Sequence, residues 1–333
     1  MMLHGANIYK YAKVAGCKPE EIIDFSSNIN LYQPEYACNF TKESISRYAN
    51  SDYPELKDAI SSRYAIKKSQ IALYNGATSA IYALIASLKA KSITLYAPLY
   101  GEYEKAALES KKDIYKINRI TSLEDEVKKG SIVVFVNPST PEGTYYELEE
   151  LLLEWMKKKC TIIIDESFLE FEELKSCKKY IDIYKKLYII QSLSKFYSCA
   201  GVRVGAIFSS KKNIAKLQTP PWNISSLDAE FLQERLLDEE FYSESLKLHK
   251  KQKAELLSIL EESQLFEEIV ESDTNFILTK ALKDKDIFNN LLKNRILVRS
   301  CESFDYLDEN WLRFAVKDSL SHQKLQEALR EIA

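Results

Sequence analysis

The segment Gln191-Ser-Leu-Ser-Lys195-Phe-Tyr-Ser-Cys-Ala-Gly201-Val-Arg203-Val-Gly205 gathers a primary amine, two hydroxyls and a guanidinium into one short stretch. Lys195 follows the apolar run Leu187–Ile190 and the polar pair Ser192 and Ser194, so it stands where a buried strand ends. An amine at such a place can bond covalently to an aldehyde, and adjacent hydroxyls with an arginine suit a phosphate. That combination is what pyridoxal 5′-phosphate (PLP) requires of a protein. A lone lysine after a strand is ordinarily a surface residue. The company of Ser192, Ser194 and Arg203, and of an acid upstream, reverses that expectation.

The acid is Asp165, in Cys160-Thr-Ile-Ile-Ile-Asp165-Glu166-Ser167-Phe168. Four apolar or β-branched residues lead into it, the pattern of a buried parallel strand that delivers a carboxylate at its C-terminal edge. Ligands of open α/β sheets bind at that edge. There a carboxylate can pair with a pyridine nitrogen and keep it protonated. A second anion cradle is expected at Tyr74-Asn75-Gly76-Ala77-Thr78, where a glycine turn enters a helix and leaves backbone N–H groups free. Ala77 and Thr78 are its candidate phosphate contacts. Pro98-Leu-Tyr100-Gly-Glu-Tyr103 follows the next strand and offers an aromatic ring to stack on a flat cofactor.

These groups need a scaffold of alternating strands and helices. Ser92–Tyr96, Ser131–Val136, Thr161–Ile164, Leu187–Ile190 and Val204–Phe208 read as short buried strands. Helical patterns at Ala77–Lys89 and Tyr145–Lys158 lie between them. The repetition predicts an α/β fold, a mostly parallel sheet covered by helices on both faces. From Ser225 a helical pattern runs toward Glu261, interrupted near Asp238–Phe241. Strand-like pieces at Asn275–Thr279, Ile296–Arg299 and Leu312–Val316 and a last helix then make a smaller α+β domain. The expected division is an N-terminal arm over 1–30, a large domain over 31–238 and a small domain over 239–333.

Composition sets the outer limits. The chain has 333 residues, 46% hydrophobic, enough for one large and one smaller core. A net charge of −3 gives no footprint for nucleic acid, and no apolar run approaches a membrane span. The six cysteines include no Cys-x-x-Cys pair and several fall in strands, which reads as reduced core residues of a cytoplasmic protein. The three histidines, 4, 249 and 322, are scattered, so no metal site is expected.

Taken in order, the glycine turn, Pro-x-Tyr100, Asn137-Pro138-Ser-Thr140-Pro141-Glu-Gly143, Asp165, Ser-x-Ser-Lys195 and Arg203 resemble the fold-type I aminotransferases, in the histidinol-phosphate branch. The ends look most like the threonine-phosphate decarboxylases of cobalamin biosynthesis. The residues that carry this are His4-Gly-Ala-Asn7-Ile, Asp24-Phe-Ser-Ser-Asn28-Ile-Asn30, Pro221-Trp222, Arg295-Ile-Leu-Val-Arg299-Ser-Cys301 and Leu312-Arg313-Phe-Ala-Val.

The resemblance implies PLP fold type I, with Lys195 as the lysine that holds the cofactor and Asp165 as partner of its ring nitrogen. Tyr100 would stack on the ring. Ala77, Thr78, Ser192, Ser194 and Arg203 would hold its phosphate, with Tyr48 arriving from a second subunit of a homodimer with shared active sites. Arg313 would grip the substrate carboxylate, and Arg299, His4 and Asn30 its phosphate. Two departures stand out. Thr140 replaces the asparagine, and Phe168 the tyrosine, that contact the ring O3′ in many relatives, leaving Thr140 or Asn137 to do so. The activity implied is PLP-dependent decarboxylation of L-threonine O-3-phosphate or L-serine O-phosphate. The product would be the amino-alcohol phosphate of the cobamide nucleotide loop. The alternative is a histidinol-phosphate-type aminotransferase.

Overall fold

The computed structural model describes residues 7–35 and 41–333. Its larger sheet has seven strands: β1 (Ile71–Asn75), β2 (Ser92–Ala97), β3 (Asp113–Asn118), β4 (Ile132–Val136), β5 (Thr161–Asp165), β6 (Leu187–Ser192) and β7 (Val204–Ser209). Their spatial order is β1-β7-β6-β5-β4-β2-β3. All neighbours run parallel except β7, which is antiparallel to both β1 and β6.

Period-2 side-chain alternation splits each strand between two cores. Leu73, Val133, Phe135, Ile162, Ile164, Leu187 and Ile189 face one apolar cluster, which contains Trp155 and Phe196. Ala72, Tyr74, Val134, Val136, Ile163 and Ile190 face the other, against the helix Gly76–Ser87 and Tyr103 of the helix Glu102–Glu109. Burial on both faces is why the central strands read as continuous apolar runs. The parallel strands β2, β4, β5 and β6 all end on one edge, which therefore receives Tyr100, Thr140, Asp165, Ser192 and Lys195.

The tail forms a four-stranded antiparallel sheet of β8 (Phe266–Ile269), β9 (Phe276–Ala281), β10 (Arg299–Ser300) and β11 (Trp311–Ala315), in the order β10-β11-β9-β8. It packs on the long helix Glu239–Ser263 and the last helix Ser319–Ile332 through Leu256, Leu260, Phe314, Leu325 and Leu329. Residues 12–24 also pack on this unit. Ile23 and Asp24 pair in parallel with Ile296 and Leu297, and Ala12 and Ile22 share a cluster with Leu292 and Leu297.

Where the sequence reading and the structure differ, local contacts explain it. The helix expected over Tyr145–Lys158 begins only at Glu149. Tyr145 and Tyr146 stay outside the helix, their N–H groups donating to Asp273 and Asn137. The interruption expected near Asp238–Phe241, by contrast, is present: Asp238 ends one helix and caps the next by accepting from the Phe241 N–H at 2.8 Å. β1, β3 and β8 were not foreseen. β3 shows a single buried residue in six, so it lacks the apolar run that marks the central strands.

Candidate active site

Lys195 sits three residues past the end of β6 and lines a cavity of about 260 Å³. Ala77, Thr78, Tyr100, Thr140, Asp165, Ser192, Ser194, Arg203, Arg299 and Arg313 line the same cavity, so residues spread over most of the chain converge on one place. Burial, helped by Arg313 and Arg203 and opposed by Asp165, pulls the Lys195 ammonium down to about 8. An appreciable share of this amine is therefore neutral near pH 7 to 8, the form that can act as a nucleophile. Its backbone is held too, since the Lys195 carbonyl accepts from the Asn30 N–H at 3.0 Å.

Asp165 is buried at the end of β5. Its carboxylate accepts from the Ser167 N–H at 2.9 Å and from the Tyr103 hydroxyl at 2.6 Å. Burial still pushes this carboxyl above its ordinary value, against those donors and Lys195. A cation beside it would restore the ionised form. Tyr103 belongs to the motif containing Tyr100 but was not singled out for this contact, because only the fold turns it toward the acid. If Asp165 anchors a protonated ring, Tyr103→Phe removes a charge-assisted bond worth about 1.5–3 kcal/mol. PLP titration followed by visible absorbance should then show roughly tenfold or greater weakening. Unchanged affinity would remove Tyr103 from the site.

The phosphate cradle is shaped by missing side chains. A Cβ on Gly205 would lie 2.3 Å from the Ala77 nitrogen, and one on Gly76 would lie 2.6 Å from Nη2 of Arg203. Gly205 in β7 thus lets the strand touch the first turn of the helix Gly76–Ser87, and Gly76 (φ 77°) gives the Arg203 guanidinium its place. The Ser192 and Ser194 hydroxyls lie 3.1 Å apart, and the Thr78 hydroxyl is 3.3 Å from that of Tyr100. A helix N-terminus, hydroxyls and a guanidinium around one hollow are a fit for a phosphate.

On the opposite wall Arg299 and Arg313 are direct partners in the β10–β11 register. Two like charges placed opposite each other are unfavourable without an anion to share. Arg313 donates to the Ser26 carbonyl at 2.8 Å and to the Thr140 hydroxyl, while its Nε is buried without a hydrogen-bond partner. Burial and Arg299 lower it to about 10, despite Cys301 nearby. Arg299 donates to Ser303 at 2.9 Å and lies over the Phe304 ring.

One expectation needs correction, and one of two alternatives drops out. Asn30 does not reach the cavity: its amide donates to the Phe196 carbonyl at 2.7 Å and to Ser245 at 2.8 Å, behind Lys195. The asparagine two residues earlier does line it, and the buried Oδ1 of Asn28 has no hydrogen-bond partner. Sequence could not separate two asparagines of one motif, since only their packing differs. Asn137 is likewise committed elsewhere, exchanging bonds of 2.9 Å with the Tyr146 backbone, which leaves Thr140 in the cavity. Tyr48 lies outside its own chain's cavity, 81% exposed and stacked on Trp222 at 4.7 Å. His4 falls outside the described residues.

The aminotransferase class I and II family model matches residues 20–332, and the chain belongs to that family. Its fold is PLP fold type I, and its cofactor is pyridoxal 5′-phosphate, which the phosphate cradle and the acid–amine pair fit. Among curated relatives, it is 32% identical to the adenosylcobalamin biosynthesis bifunctional protein CobDQ of Leptospira interrogans, over 99% of this chain and 41% of that protein. The chain therefore spans under half of that relative. It is 27% identical to the threonine-phosphate decarboxylase of Salmonella typhimurium, over 99% of this chain and 96% of that one. The crystal structure of the histidinol-phosphate aminotransferase from Clostridium acetobutylicum superimposes with a TM-score of 0.82 at 28% identity, covering 92% of this chain and 98% of that chain. No helix among the described residues is long and apolar enough to cross a membrane.

Proposed function

We propose that this PLP enzyme decarboxylates an O-phosphorylated hydroxyamino acid, L-threonine O-3-phosphate or L-serine O-phosphate, to the amino-alcohol phosphate of a cobamide nucleotide loop. The observation that carries this reading is the register pairing of Arg299 with Arg313 on one wall of the Lys195 cavity. Two guanidinium groups there provide separate positions for the two anions of such a substrate, carboxylate and phosphate. The Salmonella and Leptospira relatives support the same direction.

PLP, when bound, supplies an acceptor for the electron pair left on Cα as a bond to it breaks. Selecting that bond falls to the protein. Arg313, fixed by Ser26 and Thr140, holds the carboxylate at one point. Arg299, with Asn28 nearby, holds the phosphate at another. Clamping both ends removes rotation about Cα, so the C–COO⁻ bond keeps the orientation in which it cleaves. The carboxylate leaves as CO₂, and a proton from Lys195 Nζ or from a water replaces it on Cα.

Arg203, Thr78, Ala77, Ser192 and Ser194 hold the cofactor phosphate in this reading, and Tyr100 covers the ring. The enzyme acts as a cytoplasmic homodimer. The exposed Tyr48 reaches the partner's cofactor phosphate, and sedimentation should give twice the chain mass, whereas a fully active monomer would refute the shared site. The test of function is to supply each phosphoamino acid and identify the product. Threonine phosphate yields 1-aminopropan-2-ol phosphate and serine phosphate yields ethanolamine phosphate; one methyl separates them, worth about 1–3 kcal/mol in an apolar pocket. Conversion of histidinol phosphate with a 2-oxo acid, and of neither phosphoamino acid, would replace this reading with the transaminase one.

A further inference from the structure

The arginine end of the cavity has an unexpected pair of neighbours. Glu104, from the helix Glu102–Glu109, and Asp305, from the turn after β10, both line the cavity that holds Arg299. Asp305 is two residues from Ser303, which accepts from Arg299, and one from Phe304, over which the guanidinium lies. Both carboxylates are largely covered, with side chains 20% and 29% exposed. Left alone, they would oppose any dianion drawn to Arg299.

A single ammonium answers both. Lys116, on the edge strand β3, places Nζ 2.8 Å from Glu104 Oε1 and 2.8 Å from Asp305 Oδ1. Its side chain is 25% exposed and it is not part of the cavity lining, so it meets the substrate only through these two acids. Burial works against its charge, but hydrogen bonds to Asp305 and Glu104 hold the ammonium above its ordinary value, so it is charged throughout the neutral pH range. The contact also joins the large sheet to the tail unit, so a structural and an electrostatic role must be told apart.

We propose that Lys116 is a specificity-determining positioning residue: by drawing the Glu104 and Asp305 carboxylates onto itself, it makes the Arg299 end of the cavity hospitable to a phosphate dianion. The assignment rests on the reading of the site as one that takes an O-phosphorylated amino acid. In the folded enzyme Lys116 acts through charge, so its loss weakens binding in proportion to the ligand's negative charge and leaves the bond-breaking groups in place.

Calorimetry and steady-state kinetics on the PLP-loaded enzyme, with O-phospho-L-serine, O-phospho-L-threonine and L-serine as probes, test this. Lys116→Met should weaken both phosphoamino acids at least about tenfold, with saturating turnover within about twofold and a deficit that shrinks as salt rises. L-serine, without the phosphate, should change far less. Lys116→Arg should bind as the wild type. The deciding variant is Lys116→Met with Glu104→Gln and Asp305→Asn, which has neither ion pair nor uncovered acid. Recovery of phosphoamino-acid affinity in it supports the charge role, whereas affinity as weak as in Lys116→Met assigns Lys116 to scaffolding and overturns the proposal. Wild-type affinity in Lys116→Met also overturns it. A wild type that binds neither phosphoamino acid overturns the functional reading itself, and this assignment with it.

Discussion

Replacing Lys195 with alanine should abolish turnover, by at least about 10⁴-fold, the upper range for losing a proton-transfer group alone. The same change should remove the visible absorbance of covalently held PLP. The expectation follows from an amine just past the end of β6, lining the cavity and pulled down to about 8 by burial, Arg313 and Arg203. Its direction with pH is fixed. A lysine lowered by burial is neutral above its pKa, so covalent attachment of PLP should speed up as pH rises through about 8 and level off beyond it. The fold itself should tolerate alanine, because a buried amine held at a cost is being removed. Near-normal turnover in Lys195→Ala would end the present account, as would attachment whose rate ignores pH from 6 to 9.

The second large effect separates the roles of the paired arginines. Arg299→Ala should cost roughly 2–5 kcal/mol of affinity for a phosphoamino acid and much less for its unphosphorylated parent, since it removes one partner of a covered anion. Arg313→Ala should lower turnover as well as affinity. Without Arg313 the carboxylate is no longer fixed by a guanidinium that itself bonds Thr140 and Ser26. Other Cα bonds then come into the cleaving orientation, and some substrate should leak into 2-oxo acid. Both expectations are checked by comparing the two variants on phosphorylated and parent substrates, with CO₂ and 2-oxo acid measured together. If both variants discriminate as the wild type does, the assignment of two separate anion positions is wrong.

The parts of the site carried on buried strands were legible from sequence, for a physical reason. A strand covered on both faces must be apolar, so Asp165 after Thr161–Ile164 and Ser192 after Leu187–Ile190 stood out as polar residues at strand ends. Gly76 was readable as a turn opening a helix, but the approach of Arg203 to it and of the Ala77 backbone to Gly205 was not. The misses came where irregular backbone decides which way a side chain points. Asn28 and Asn30 share one motif, yet Asn30 is turned back onto Phe196 and Ser245 while Asn28 faces the cavity. Tyr103 reaches Asp165 only because folding brings the helix Glu102–Glu109 to the edge where β5 delivers that acid. Nothing in the local sequence marks Lys116 in a chain where 29% of residues are charged. Its two acids come from elements far from it in sequence, so its setting existed only after folding.

The central claim is that two clamped anions direct cleavage to the C–COO⁻ bond. Its most direct test is a carbon balance on the wild-type, PLP-loaded enzyme given O-phospho-L-threonine and O-phospho-L-serine without a 2-oxo acid. The account predicts CO₂ and amino-alcohol phosphate in equal amounts over many turnovers, with no 2-oxo acid beyond a trace. Stoichiometric 2-oxo acid in a single half-turnover, with no CO₂ from either substrate, would contradict it.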